Sequence, residues 1–338
     1  MEFAAAWTYQ NGTPGPLMAA GAADRALRPG LTVAICTYQR PASLSRLVDS
    51  LAAQERTPDA LIVVDASANS ATEDVLKAHA CLPRVAGAVV YIRVIESMRG
   101  LPKQRNLCVR YVDTDLTAFF DDDVVLLPGC LAEMERQHRL LGNQVVGVGA
   151  VIEGDAAPTR LWMLRLILRM VPSLEPGRYY RSGMSTPWRF QDIEDDVVPV
   201  DWLPGCAAAW RTEIVQRLGF RTAFSGYAQG EDLEFSLRAR RYGALYAVGG
   251  ARLLHLHEPS GRPDSFARGY MAIRNRYQIH RIGVPDRTWK DVAWFIYAWT
   301  VDTVLLGRHL IRPSGGLQVA MEVSGRVRAA YDLLRGHS

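Results

Sequence analysis

Short apolar runs alternate with helically spaced segments through the first half of the chain. Residues 31–36, 61–64, 89–95, 116–120 and 145–151 are runs rich in Val, Ile, Leu and Phe, too continuous for strands with one wet face. Between them, residues 43–54 place Leu44, Leu47, Val48 and Leu51 on one helical stripe, and 72–79, 102–111 and 131–141 read as further helices. This alternation predicts an α/β fold in which a mostly parallel sheet is covered by helices on both faces. Ligands of such sheets lie beyond the carboxyl ends of the strands. Thr37 and Tyr38, Asp65, and the triplet Asp121-Asp122-Asp123 are therefore expected along one edge.

The rhythm breaks over residues 153–198. Within it, 160–171 spaces Arg165 and Arg169 four apart on an otherwise apolar helix. Such a helix suits an anionic lipid surface, or a core position from which the arginines snorkel outward. The following loop carries Tyr179-Tyr180-Arg181, Trp188 and Glu194-Asp195-Asp196, and its length fits a substrate-covering lid or a disordered connection. Residues 204–210 read as a small-residue strand or turn. A helix over 230–242 has Glu231 and Asp232 in its first turn, Arg238, Arg240 and Arg241 in its last, and Gly243 as its stop. Two short strands follow, at 245–248 and 252–257.

Towards the end, 289–310 is apolar and aromatic but interrupted by Asp302. Its longest uncharged run, 292–301, is too short to span a bilayer, so it is expected to lie on a surface or pack as a helix. Residues 320–334, with Arg326 and Arg328, form a final amphipathic helix. The expected division is a loosely ordered arm over 1–29, a main domain over 30–260 with the insertion 153–198, and a helical extension over 261–338 that contacts membrane.

Composition narrows the function by exclusion. A net charge of +4 over 338 residues carries no nucleic-acid signature. Five cysteines without a CxxC pair read as reduced core residues of a cytoplasmic protein, and the first thirty residues lack the basic and apolar regions of a signal peptide.

Three clusters carry candidate chemistry. Three consecutive acids after a buried strand repel one another and need solvent, protonation or a cation. Alternation turns Asp121 and Asp123 to the same side, where they suit Mg2+ or Mn2+; a solvated turn is the other reading. Glu231 and Asp232 at a helix start sit where the macrodipole favours carboxylate, and His255 or His257 could add an imidazole to a metal shell. The segment 99–106 (RGLPKQRN) offers helix N-terminal amides with Lys103 and Arg105 to an anion, and Arg40 could supply another phosphate contact.

Taken in order, VAICTYQR (33–40), IVVDAS (62–67), RGLPKQRN (99–106), FFDDD (119–123) and GEDLE (230–234) resemble the family 2 glycosyltransferases, inverting enzymes of the GT-A fold. Arg274-Asn275-Arg276-Tyr277 also looks like the segment that follows the domain in bacterial members. The resemblance implies a nucleotide-sugar donor held by Thr37, Tyr38, Arg40, Asp65, Arg99, Lys103, Arg105, Asn106, Asp122 and Gly205, with Asp65 accepting from the base. It implies Mg2+ or Mn2+ on Asp121 and Asp123 with His255 or His257, and Asp232 as the base, supported by Glu231. A carbohydrate or lipid-linked acceptor would enter past Gly205, with peripheral contact at the inner membrane face. The second strand departs from the pattern: it ends Asp65-Ala66-Ser67 where Asp-Asp-Gly-Ser or Asp-Asn-Gly-Ser is common. A nucleotidyltransferase would show a glycine-rich loop that 36–41 lacks, and haloacid-dehalogenase-like chemistry needs a Thr where Val125 stands. A degenerate sugar- or lipid-binding subunit would not need the intact acids.

Overall fold

The computed structural model describes residues 3–10, 13–16, 26–154, 158–187, 193, 196–224, 228–258, 264–311 and 316–336. The apolar runs become the parallel centre of an eleven-stranded sheet: β3 (Arg28–Thr37), β4 (Ala60–Asp65), β5 (Ala88–Val94) and β6 (Thr114–Asp121), ordered β5-β4-β3-β6. Every residue of β4 is buried, which is why its sequence is apolar without alternation. One core cluster joins Leu31, Val33 and Ile35 to Leu44, Leu47, Val48 and Leu51 of helix α1 (Pro41–Ala52). The other joins Ala34, Ile62 and Ile92 to Leu107 and Cys108 of α4 (Leu101–Val109). Helices α2 (Ala71–Lys77) and α3 (Leu82–Val85) complete this half.

Beyond β6 the sheet becomes mixed, with β10 (Ala207–Arg211) antiparallel between β6 and β8 (Val145–Ile152) and Ala207 opposite Phe120. Next to β8 runs β11 (Ala244–His255), flanked by β7 (Val124–Leu126) and β9 (Val197–Val200). The two strands expected at 245–248 and 252–257 are thus one, and its register shifts between Val248 and Arg252, at Gly249-Gly250. Helices α5 (Cys130–Leu141), α7 (Thr212–Leu218) and α8 (Glu231–Ala239) pack on this half.

The loose arm expected over 1–29 is corrected. β1 (Phe3–Gln10) pairs with β5 and with β2 (Thr13–Pro16), and residues 17–25 lie outside the described residues. Trp7 is buried and stacks on Tyr91 at 5.3 Å between ring centres. Without β1, the edge of β5 would be left unpaired, and covering Tyr91 with an indole buries apolar area on both residues.

The insertion is ordered by charge as well as by apolar contact. Helix α6 (Arg160–Ile167) presents Arg165 to Asp302 of α10 (Trp289–Gly307), with its Nε and Nη2 at 3.0 and 2.6 Å from Oδ1. Arg326 of α11 (Gly316–Leu334) donates to Oδ2 of the same carboxylate at 3.0 Å. Arg165 therefore neither meets lipid nor snorkels to the surface; it neutralises the acid that interrupts α10. The indole of Trp294 and the hydroxyl of Tyr297 donate to the carbonyls of Arg169 and Leu168, each at 2.8 Å, and fix the residues just past α6 on α10. Residues 177–187 turn back on themselves, bridging Tyr179 to Ser185, whereas Trp188, Glu194 and Asp195 lie outside the described residues.

Two glycines let α9 (Ser265–Gly283) and α11 touch backbone to backbone. A Cβ on Gly325 would come within 2.1 Å of the Phe266 carbonyl oxygen, and one on Gly269 within 2.0 Å of that of Glu322. Among the described residues no helix is long and apolar enough to cross a membrane.

Candidate active site

The ends of β3 and β6, the start of α4, the turn before β10 and the start of α8 converge on one edge of the sheet. There they line a cavity of about 450 Å³, with Thr37, Tyr38, Arg40, Arg99, Asp121, Asp122, Gly205, Glu231, Asp232 and His255 in its wall.

The Asp triplet divides its work. Asp121 closes β6, and Asp122 and Asp123 form the turn into β7. Asp122 points back to β3, accepting from Thr37 Oγ1 at 2.7 Å and from Arg40 Nη1 at 2.9 Å. Burial pushes its carboxyl up to about 6, with the Thr37 hydroxyl and Arg40 opposing. Asp123 Oδ1 lies 3.0 Å from His255 Nε2, and its Oδ2 accepts the backbone N–H of Glu258 at 3.0 Å. Burial works against ionisation of Asp123, but His255 and that backbone donor outweigh it and hold the carboxyl below its usual range. Asp121 goes the other way: burial and the neighbouring Asp123 and Asp232 raise it against Arg105 and His255.

Ligand atoms of Asp121, Asp123 and His255 all lie within 4.8 Å of one another. β11 lies beside β7, the strand that leaves the triplet, with His255 opposite Val124, so sheet pairing brings the histidine to the acids. His257, adopting φ 54° just past the strand, is exposed, and its ring lies 4.1 Å from that of His255. It lies outside this three-residue group.

A second network is built on Arg105. Its guanidinium is 3% exposed and contacts Glu231, donates to the Gly205 carbonyl at 2.8 Å and reaches Asp121 Oδ1 at 3.4 Å. Burial pushes Glu231 upward, to about 8, and the contact with Arg105 opposes it. Gly205 is required here because a Cβ would sit 2.9 Å from both terminal nitrogens of Arg105. The N–H of Gly205 donates to Asp232 Oδ2 at 3.2 Å, and that of Leu233 to Oδ1 at 2.8 Å. The carboxylate at the start of α8 is thereby held against the cavity wall.

Several residues expected at an anion have partners within the chain. Lys103 donates to the Ser97 carbonyl at 2.8 Å, outside the cavity wall. Asn106 exchanges two hydrogen bonds with the backbone of Phe220, at 2.8 and 2.7 Å, and holds the loop after α7. Arg105 and Arg40 are engaged by carboxylates of the site itself. Asp65 is fully buried, with Oδ1 taking the N–H of Ser67 at 2.8 Å and Oδ2 the hydroxyl of Tyr91 at 2.7 Å. It organises the end of β4 rather than facing the cavity. Tyr38 and Arg99 do face it, with the guanidinium carbon 3.9 Å from the ring centre. Gln104 was not singled out from the sequence, though it lines the cavity and donates to the carbonyls of Thr37 and Val64 at 3.2 and 3.0 Å, tying α4 to β3 and β4. Its position in 99–106 was the only signal available.

Residues 32–192 match the sequence profile of glycosyl transferase family 2. No curated protein matches the chain. Among solved structures, it is similar to the mannosyltransferase PcManGT from Pyrobaculum calidifontis, in complex with GDP-Man and Mn2+, at 16% identity over 91% of this chain and 90% of that one, with a TM-score of 0.55. S. aureus TarS 1-349 in complex with UDP-GlcNAc aligns at 14% identity over 91% and 92%, with a TM-score of 0.49. The first of these shows the fold.

Proposed function

With a glycosyl transferase family 2 domain across residues 32–192 as the premise, we propose that this glycosyltransferase is an inverting, divalent-metal-dependent enzyme. It moves a sugar from a nucleoside-diphosphate-sugar to a hydroxyl acceptor. The observation that carries this reading is the placing of Asp121, Asp123 and His255 within ligand reach of one another beside the cavity that Asp232 also lines.

The donor set fits a cation. Asp121, Asp123 and His255 would hold a hard divalent ion, and the nitrogen ligand would favour Mn2+ over Mg2+. The cavity wall also needs one: it holds Asp121, Asp122, Glu231 and Asp232, while Arg40 and Arg105 are already bound to carboxylates. A diphosphate entering there would meet four acidic side chains against three arginines, of which only Arg99 is not held by an acid of the wall. A bound divalent ion supplies the charge that stabilises the departing nucleoside diphosphate.

The remaining roles belong to the chain. Tyr38 with Arg99 offers a flat platform to the base. Arg40 and Thr37 hold Asp122 at the donor side. Asp232, oriented by the N–H groups of Gly205 and Leu233, takes the acceptor proton as the hydroxyl attacks the anomeric carbon opposite the leaving group. Glu231 acts through Arg105, which fixes the Gly205 turn.

A thermal-shift panel of nucleoside diphosphates with and without Mn2+ tests the donor site. The midpoint should rise with nucleotide and Mn2+ together, more than with Mg2+, and the response should vanish in Asp123→Asn. Equal stabilisation without metal in both proteins would remove the metal from the reading.

The outward face of α10 supports a lipid-linked acceptor. Trp289, Ile296 and Val304 are 75, 58 and 68% exposed, beside Ile167 of α6 at 73%, whereas Asp291 and Asp302 of the same helix are buried. The extension 261–338 carries twelve Lys or Arg against six Asp or Glu. An apolar face on a cationic body suits an anionic membrane surface. Co-sedimentation with vesicles containing phosphatidylglycerol should exceed that with neutral vesicles and fall at least fivefold in Ile296→Glu. No binding to either vesicle, or a dimer that this substitution dissolves, would assign the face elsewhere.

A further inference from the structure

Where the hairpin 177–187 meets α9 and α10, several donor groups lack a full set of acceptors among the described residues. Arg276 on α9 gives Nη1 to Ser185 Oγ at 3.1 Å and has no carboxylate in ion-pair contact among the described residues. Its guanidinium carbon lies 5.8 Å from the ring centre of Trp299 on α10. Among the described residues the indole Nε1 of Trp299 is buried without a hydrogen-bond partner, and so is the hydroxyl of Tyr179, whose residue is bridged to Ser185 across the hairpin. A Cβ at Gly183 would approach the Trp299 Nε1 to 3.3 Å, so the hairpin runs close beside that nitrogen.

Buried donors without acceptors are costly, and native interiors seldom leave them so. Here two orphaned donors flank a cation. A guanidinium, an indole N–H and a phenol share one complement: a group with several acceptor oxygens and negative charge. Burial lowers the Arg276 pKa, only partly opposed by Tyr179 and by the carboxylates of Asp232 and Asp302, neither of them in ion-pair contact with it. The neighbouring Asn275 donates to the carbonyl of Gln229 at 2.8 Å, and Gln229 lines the active-site cavity one residue before the turn into α8. Asn275 thus ties α9 to the turn that opens α8, the helix that carries Asp232.

We propose that Arg276, Tyr179, Trp299 and Ser185 form an oxyanion subsite that holds a phosphate group of the acceptor. This rests on the transferase reading above and adds to it the chemical class of the acceptor, a phosphate-bearing molecule. Tyr179 and Ser185 place the insertion in acceptor recognition, so its hairpin has a binding role beyond covering the site.

Binding of inorganic phosphate and of decyl phosphate, followed by 31P NMR and calorimetry, tests it. The wild-type protein should bind at least one of the two, and Arg276→Gln should weaken that binding tenfold or more. Tyr179→Phe should weaken it about threefold, while the free protein's thermal midpoint stays equal or rises because a buried orphan is removed. Comparable affinity for both probes would identify a small phosphorylated acceptor; a clear preference for decyl phosphate would identify a lipid-borne one. Stabilisation by nucleoside diphosphate with Mn2+ should be unchanged in both variants. Its absence from the wild type would count against the transferase reading and leave the phosphate result standing by itself. No binding of either probe, or undiminished binding in Arg276→Gln, overturns the subsite.

Discussion

Replacing Asp232 with Asn should lower kcat by about a thousandfold, within the range by which general bases contribute, while nucleotide affinity stays within about threefold. The side chain keeps its volume and one carbonyl oxygen. One of the two backbone donors from Gly205 and Leu233 then loses its acceptor, at a cost of about 1 kcal/mol in stability. What disappears is the ability to take a proton. Single-turnover transfer measured beside a nucleotide-binding isotherm separates the two effects. Transfer at the wild-type rate would mean that another group is the base; a parallel loss of nucleotide binding would place Asp232 in donor recognition.

Arg105→Met should destabilise the protein by about 3–5 kcal/mol, the usual cost of removing one partner from a buried ion network, read from the urea midpoint. Arg105 is almost fully enclosed, and Glu231 and Asp121 both face it. Without the guanidinium, Glu231, already raised to about 8 by burial, would have no counter-charge, and the Gly205 carbonyl would lose its donor. A second substitution, Glu231→Gln, should recover part of the loss, because an amide in that place carries no charge to bury. If the double variant were no more stable than Arg105→Met, the packing of the Arg105 side chain would account for the effect and not its charge.

These two residues show what the sequence could and could not disclose. Asp232 was identifiable because two acids opening a helix after glycine form a local pattern. Arg105 stands in an equally visible segment, yet its partners are not legible there: it contacts two carboxylates of the site. The same holds for Arg40, which braces Asp122 and Asp123, and for Asp65, whose oxygens are used by Tyr91 and Ser67. Sequence gives the charge of a side chain. Its partner is chosen across the sheet, often from a residue a hundred or more positions away.

The strands and helices of the first half were legible because continuous apolar runs and helical stripes are local consequences of which faces are buried. The N-terminal strand was not, since its Ala-rich run has little intrinsic preference and is ordered by Trp7 stacking on Tyr91. Arg165 read equally well as a lipid-facing or a snorkelling residue until Asp302 was found opposite it.

The amino-acid sequence by itself determined the α/β fold, the edge on which the chemistry gathers and the identity of the three acids of the triplet. Only the tertiary structure decided that His255 rather than His257 joins Asp121 and Asp123, that Asp122 is turned away to Thr37 and Arg40, and that orphaned donors surround Arg276. Burial patterns repeat over a few residues and can be read along the chain. Charge compensation depends on strand pairing and helix packing that join distant residues.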